Sequence, residues 1–322
     1  MRNEFLSDWQ IVIGAIQYWL GGGDPYGPFP SYYSFIRPAG AFAYPPATLM
    51  LGAPIALLPW QLTGILMLLL SIIGFEYWAR RTGRRTALPW LVVWLPLCQG
   101  LWIGQLTLLS LVGLALAELT YTDEHDWHVG VLLALAIVKP QTVVLPVAYM
   151  LFTAVRARRW SVLLSFALLS AVLWGGVILA SGPAIYAQWR EGLSHYGPNL
   201  ANRPLLFPPF GPLLALLAGV LWWRYGRQDV WGLLLLLNTL IFPLSVVYVA
   251  VGVAFVVIRW RPDAPWYPLA LSWLVPIFLP VQLTPDGVAA LAQGIVGTAL
   301  LAGLCPALPW RRWFARRPLT PQ

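Results

Sequence analysis

Apolar residues fall in runs at 47–75, 88–98, 101–119, 129–138, 140–155, 161–182, 210–223, 230–243, 244–258, 266–283 and 287–307. A straight membrane span takes about 20 residues, so the long runs predict spanning helices and the short ones broken or re-entrant helices that pair. Together they predict an all-α, polytopic membrane helix bundle of about 10–11 spanning or half-spanning helices, because only a helix satisfies its own backbone in lipid. Ahead of them, Trp9, Val12, Ile13, Ile16, Trp19 and Leu20 share one helical face, and Gln10, Gly14 and Gln17 the other. That period predicts a short amphipathic helix over 9–20, lying on the membrane with one wet face. Gly21–Gly27 breaks it, and the Pro- and aromatic-rich stretch 24–46 reads as an ordered loop.

Composition strengthens this picture. Mean hydropathy is +0.70, and charged residues make up only 10% of the chain, against about 25% in soluble domains. Lipid must therefore solvate much of the surface. The formal charge of +8 does not point to nucleic acid, because the arginines sit in short clusters between apolar runs. These are Arg80, Arg81, Arg84 and Arg85; Arg156, Arg158 and Arg159; Arg224 and Arg227; Arg259 and Arg261; and Arg311, Arg312, Arg316 and Arg317. If each run crosses or half-crosses once, every cluster lands on one side, which the positive-inside rule makes cytoplasmic. The other side then collects residues 1–46, the Gln99–Gln105 bend, the Lys139-Pro140-Gln141 break and the loop 183–209. The chain divides into an extracytoplasmic segment 1–46, a transmembrane domain 47–310 and a basic cytoplasmic tail 311–322. Cys98 and Cys305 lie in apolar runs and suggest neither a disulfide nor a zinc site.

Lys139 is the sole lysine, and it stands in an apolar stretch where a charge costs at least ~2.5 kcal/mol. Pro140 breaks the helix beside it. The pair reads as a cation holding an anionic group such as a phosphate; snorkelling or structural pairing with a carboxylate is the alternative. Asp8 precedes the first helix, where a general base for a lipid-linked reaction belongs, although Ser7 or Asp8 could equally cap that helix. Asp24 reads foremost as a turn residue before Pro25, and is the rival carboxylate. Tyr44-Pro45-Pro46 stiffens the entry to the first long run. Gln105 and Gln141 follow bends and either face a cavity or satisfy bent backbone. The polar loop 183–209 offers Arg203 and His195 for phosphate or sugar contact. No zinc spacing, phosphate loop, dinucleotide fingerprint or nucleophile elbow is present, so no metal ligands are assigned.

The order Asp8, short helix, Gly22-Gly23-Asp24-Pro25-Tyr26, Tyr44-Pro45-Pro46, Gly104-Gln105 and Lys139-Pro140-Gln141 resembles glycosyltransferase family 87, the polyprenyl-phosphate-mannose-dependent group of the GT-C class. The resemblance covers roughly residues 7–260. It implies a membrane enzyme that moves a hexose, mannose favoured, from a polyprenyl-phosphate sugar to a lipid or glycan acceptor with inversion. It implies an active site facing the extracytoplasmic side, Asp8 as general base, and Lys139 and Gln141 near the donor phosphate. The expected partners are membrane lipid, the donor and the acceptor, with no separate cofactor and no nucleic acid. Family members carry a spanning helix ahead of that aspartate, so a truncated, non-catalytic homologue is one alternative; a secondary transporter with a broken helix is another.

Overall fold

The computed structural model describes residues 5–28, 42–84, 86–122, 125–195, 203–242, 247–264, 267–279 and 284–306. Every regular element among them is helical. The chain opens with α1 (Ser7–Leu20), α2 (Ala47–Gly52) and α3 (Trp60–Arg81), then α4 (Leu88–Val93), α5 (Leu95–Ile103) and α6 (Leu106–Thr122). It continues through α7 (Asp126–Ala136), α8 (Pro140–Arg156), α9 (Trp160–Ser170), α10 (Gly176–Ser181) and α11 (Ala184–His195). The distal part holds α12 (Gly211–Leu221), α13 (Val230–Ile241), α14 (Val251–Trp260), α15 (Tyr267–Ala270), α16 (Val275–Phe278) and α17 (Pro285–Leu304).

Three stretches are long and apolar enough to cross a bilayer: Trp60–Arg81, Trp160–Ser181 and Asp286–Leu304. A fourth candidate is the pair α5 and α6, bent by 114°. The spans are two-sided. On α3, Thr63, Met67, Ser71, Phe75 and Trp78 are buried, while Leu62, Leu66, Leu69, Leu70 and Ile73 are exposed. The exposed row is the face lipid would solvate, and the buried row keeps the 3–4 residue spacing of a packed helix. Small residues set the closest approaches, as expected where helices pack in lipid. A methyl at Gly130 of α7 would stand 2.2 Å from the Val162 carbonyl oxygen at α9, and one at Gly74 would stand 2.3 Å from Val112 of α6.

Arginines of three clusters, and Tyr225 from between Arg224 and Arg227, make contacts at one end of the bundle. Arg84 donates to the Ala264 carbonyl at 3.2 Å, beside Arg261, whose guanidinium lies 4.4 Å from the Tyr225 ring. Arg259 bridges Glu118 at 3.1 Å and Asp229 at 2.5 Å. Arg159 pairs with Asp126 and donates to the Tyr121 carbonyl at 2.9 Å. These contacts gather Arg84, Arg159, Arg259 and Arg261 round the ends of α6, α7 and α14; the fifth cluster, in the tail, lies outside the described residues. Gln105 and Lys139 begin α6 and α8, two helices that run to the arginine end. At 1.5 Å per residue they stand roughly 20–25 Å from it.

Two expectations need correction. Residues 9–20 do not form a helix with one wet face: α1 starts at Ser7, and its six consecutive residues Ile11 to Ile16 are all buried. Gly14, expected to face water, is among them. Gln17 donates to the Ala56 carbonyl at 2.7 Å rather than facing only solvent. The cause is that α2, α3 and α5 all pack on α1, and the approach of α2 is close enough that a methyl at Gly52 would stand 2.3 Å from Ile16. The polar stretch 183–209 is not a plain loop either, since it holds the helix α11.

Candidate active site

The α5–α6 bend builds the site's floor. Gly104 closes α5 with φ +74°, a left-handed conformation that a side chain rarely adopts. A Cβ there would also stand 2.7 Å from Trp9 Cβ and 3.0 Å from Leu6, so glycine is required for both reasons. The start of α1 is pinned to this bend. Leu6 N–H donates to the Trp102 carbonyl at 2.7 Å, Phe5 meets the Trp102 ring, and Trp9 Nε1 donates to Thr63 Oγ1 of α3 at 2.9 Å. That anchoring places half-buried Asp8 over Gln105, whose Nε2 donates to Asp8 Oδ2. Neither Ser7 nor Asp8 caps the helix, whose N-cap position is Leu6.

Gln105 is buried, and its other amide atom is equally engaged. Oε1 accepts from Lys139 Nζ at 2.6 Å and from Tyr44 OH at 3.1 Å. One amide therefore presents its donor to a carboxylate and its acceptor to an ammonium, the only orientation that satisfies both neighbours. Lys139 is 2% exposed, and its Nζ lies 5.1 Å from the Tyr44 ring and 4.8 Å from the Tyr248 ring. Aromatic faces attract a cation without neutralising it. Among the described residues Lys139 makes no salt bridge at contact distance, and the Asp8 carboxylate interacts with it across the Gln105 amide. Burial pushes the Asp8 carboxyl above the ordinary carboxylate range, opposed by the Lys139 charge and the Gln105 hydrogen bond.

The break that delivers Lys139 is held from both sides. Ser110 Oγ of α6 donates to the Ala136 carbonyl, the last of α7. Thr142 Oγ1 donates to the Lys139 carbonyl at 2.9 Å. On α13, Asn238 Nδ2 donates to the Gln141 carbonyl at 2.9 Å, and its Oδ1 accepts from Leu145 N–H at 3.1 Å.

The other expected residues are placed as follows. Asp24 makes the turn foreseen for it, its Oδ1 accepting from Tyr26 N–H at 3.0 Å. Tyr26 OH donates to the Tyr44 carbonyl at 3.2 Å, so the Asp24 turn reaches the Gln105 cluster through two tyrosines. Asp24 also lines an open cavity of about 520 Å³ with Trp19, Gly22, Ala180, Ser181 and Gln188. Gln141 is half-buried, and its backbone is what Asn238 uses. Arg203 ion-pairs with Asp286 of α17 at 2.7 Å. His195 closes α11, and its side chain lies outside the described residues. Asn238 and Tyr248 received no role from sequence; polar character in the distal apolar runs was the available signal.

A helical membrane bundle with a carboxylate, an amide and an amine in one row beside a helix break defines an integral membrane protein built round a buried polar site. A family model described as glycosyltransferase family 87 matches residues 42–284, well over half of the chain, and the chain belongs to that family. The matched stretch contains Tyr44, Gln105, Lys139, Gln141 and Asn238 and begins after Asp8. No curated protein and no solved structure matches the chain. Membership makes it a membrane-bound glycosyltransferase by family.

Proposed function

We propose that this protein transfers a hexose, mannose favoured, from a polyprenyl-phosphate sugar to a lipid or glycan acceptor with inversion, at the membrane face opposite the arginine clusters. The observation that carries the reading is the single row Asp8–Gln105–Lys139, which supplies a base and a fixed cation at once. Asp8 removes the proton of an acceptor hydroxyl as that oxygen attacks the anomeric carbon. The bond from the anomeric carbon to the phosphate oxygen breaks, and its electron pair stays on the phosphate. The phosphodiester becomes a monoester and gains one negative charge. A preorganised ammonium in a dry site stabilises that developing charge far better than solvent would. Gln105 keeps the two charges apart while linking them, so Lys139 does not collapse onto Asp8. The cavity at Trp19, Asp24 and Gln188 offers an aromatic ring and polar groups to an acceptor's sugar. The face opposite the arginines is the extracytoplasmic one under the positive-inside rule.

The test is transfer of radiolabelled sugar from a polyprenyl-phosphate donor in membranes containing the protein. Wild type is expected to turn over, and Asp8→Asn to insert normally with no transfer. Undiminished turnover by Asp8→Asn would remove the carboxylate from the reaction.

A further inference from the structure

Asn238 occupies a position that the proton-and-phosphate chemistry above does not explain. It is 1% exposed and belongs to α13, remote in sequence from the Lys139 break. Its side-chain amide engages the Gln141 carbonyl and the Leu145 N–H, which are the two ends of one i→i−4 step of α8. This is the stretch of α8 least able to hold itself. Pro140 stands at its first position and Pro146 lies inside the helix. Neither proline has an N–H, and the Pro146 ring crowds the carbonyl four residues earlier, Thr142. A buried amide that bridges the two ends of the intervening step fixes the turn that a proline on either side loosens.

The geometry points to Asn238 as the positioning residue for Lys139: it clamps the Pro140–Pro146 turn from α13, so that Lys139 Nζ meets Gln105 rather than swinging with the break. The inference rests on the proposed role of Lys139 for its catalytic meaning, but the clamp itself can be measured without any substrate. Lys139 leads directly into the clamped turn, and its carbonyl is held by Thr142 from within it. A shift of about 1 Å at a reacting group costs up to ~10²-fold in rate, so loss of the clamp is expected in turnover more than in folding.

The chain has a single lysine, which supplies the probe. Acylation by an amine-reactive ester, followed on the Lys139 peptide by mass spectrometry, reports on that amine alone. In wild type the buried amine is expected to label slowly. Asn238→Leu, which deletes both bonds, is expected to label at least ~10-fold faster, and Asn238→Asp, isosteric and retaining the acceptor for Leu145, to fall between; the same order should hold inversely in kcat, ~10²-fold at most. The control is Gln293→Leu. Gln293 is another fully buried amide, on α17, donating to the Leu205 and Phe207 carbonyls. If Asn238 serves stability alone, Gln293→Leu at equal thermal stability labels as fast as Asn238→Leu, and that result overturns the proposal. Unchanged labelling in both Asn238 variants also overturns it. Faster labelling specific to Asn238, with no transfer by wild type from any polyprenyl-phosphate sugar, would leave the clamp standing and remove the transferase reading instead.

Discussion

Lys139 Nζ reaches Gln105 Oε1 at 2.6 Å across a proline break, and the same Gln105 amide donates to Asp8 from its other atom. The site is therefore held by one neutral side chain at its centre. Gln105→Leu removes the partner of both charges at once. Each buried polar group left unsatisfied costs about 1–3 kcal/mol and more when charged. We expect a lower thermal midpoint together with near-complete loss of sugar transfer, measured on purified protein in detergent. Full transfer with a lowered midpoint would show that Gln105 serves only the fold.

Lys139→Met separates function from stability in the opposite sense. A buried cation that has no ion pair among the described residues is expensive, and exchanging buried charge for an apolar side chain of similar volume is often neutral or stabilising by about 1–4 kcal/mol. The variant should melt at or above the wild-type temperature and transfer no sugar. Lys139→Arg should not restore turnover, because a planar guanidinium cannot occupy the position of a compact ammonium between Tyr44 and Tyr248. A stable, active Lys139→Met protein would take the amine out of the chemistry.

The parts of this site that could be read in the sequence are those that broke a local rule. Gly104 stands at a bend inside an apolar stretch, Pro140 interrupts a helix, and a lone lysine sits where charge is costly; Asp8 heads a helix near the membrane surface. Each violation is visible without tertiary information, and the structure brings Asp8, Gln105, Tyr44 and Lys139 together. Asn238 violates nothing, since one amide in an apolar helix is tolerated wherever it finds partners, and its partners are 97 and 93 residues away. The burial of α1 on every side from Ile11 to Ile16 was likewise invisible, because an amphipathic period shows only which face is greasier. It does not show that α2 covers the rest. The polar residues of 183–209 hid α11 for the converse reason, since a polar helix and a polar loop draw on the same residue types.

At the arginine end, Asp229 Oδ2 accepts from Arg259 Nε at 2.5 Å and Trp260 Nε1 at 2.7 Å, while Arg259 also meets Glu118 at 3.1 Å. This junction joins α6, α13 and α14. Arg259→Met leaves two carboxylates facing each other without their shared cation. Hydrogen bonds to charged groups are worth about 1.5–3 kcal/mol, and the loss should appear as lowered thermal stability. Activity per folded molecule should be unchanged, since the junction lies at the far end of α6 from Gln105. A drop in kcat at constant folded fraction would show that the two ends are coupled.

The ionisation of Asp8 sets the sign of the pH profile. Burial raises its carboxyl above the ordinary range, and a general base acts only when deprotonated. Transfer should therefore rise with pH on the acid limb, with its midpoint above the ordinary carboxylate value of about 4. Gln105→Leu removes a hydrogen bond that favours the charged form, so its residual activity should show that limb displaced further upward. A profile with no acid limb above the ordinary carboxylate value of about 4 in wild type would exclude a carboxylate base with a raised pKa.

The cavity beyond the far end of α1 can be tested by filling it. Trp19 lies 11 residues along the same helix from Asp8, roughly 16 Å at 1.5 Å per residue. A ligand spanning both points must be extended, as a glycan of several units is. Ala180 is exposed and lines the same cavity, so Ala180→Trp can enter it without displacing core packing. The expected outcome is a raised KM for a long glycan acceptor with kcat near wild type, because neither Asp8 nor Lys139 is touched. A short acceptor that ends before the cavity should show no change in KM. If long and short acceptors are affected alike, or the donor KM rises instead, the cavity does not receive the acceptor's distal sugars.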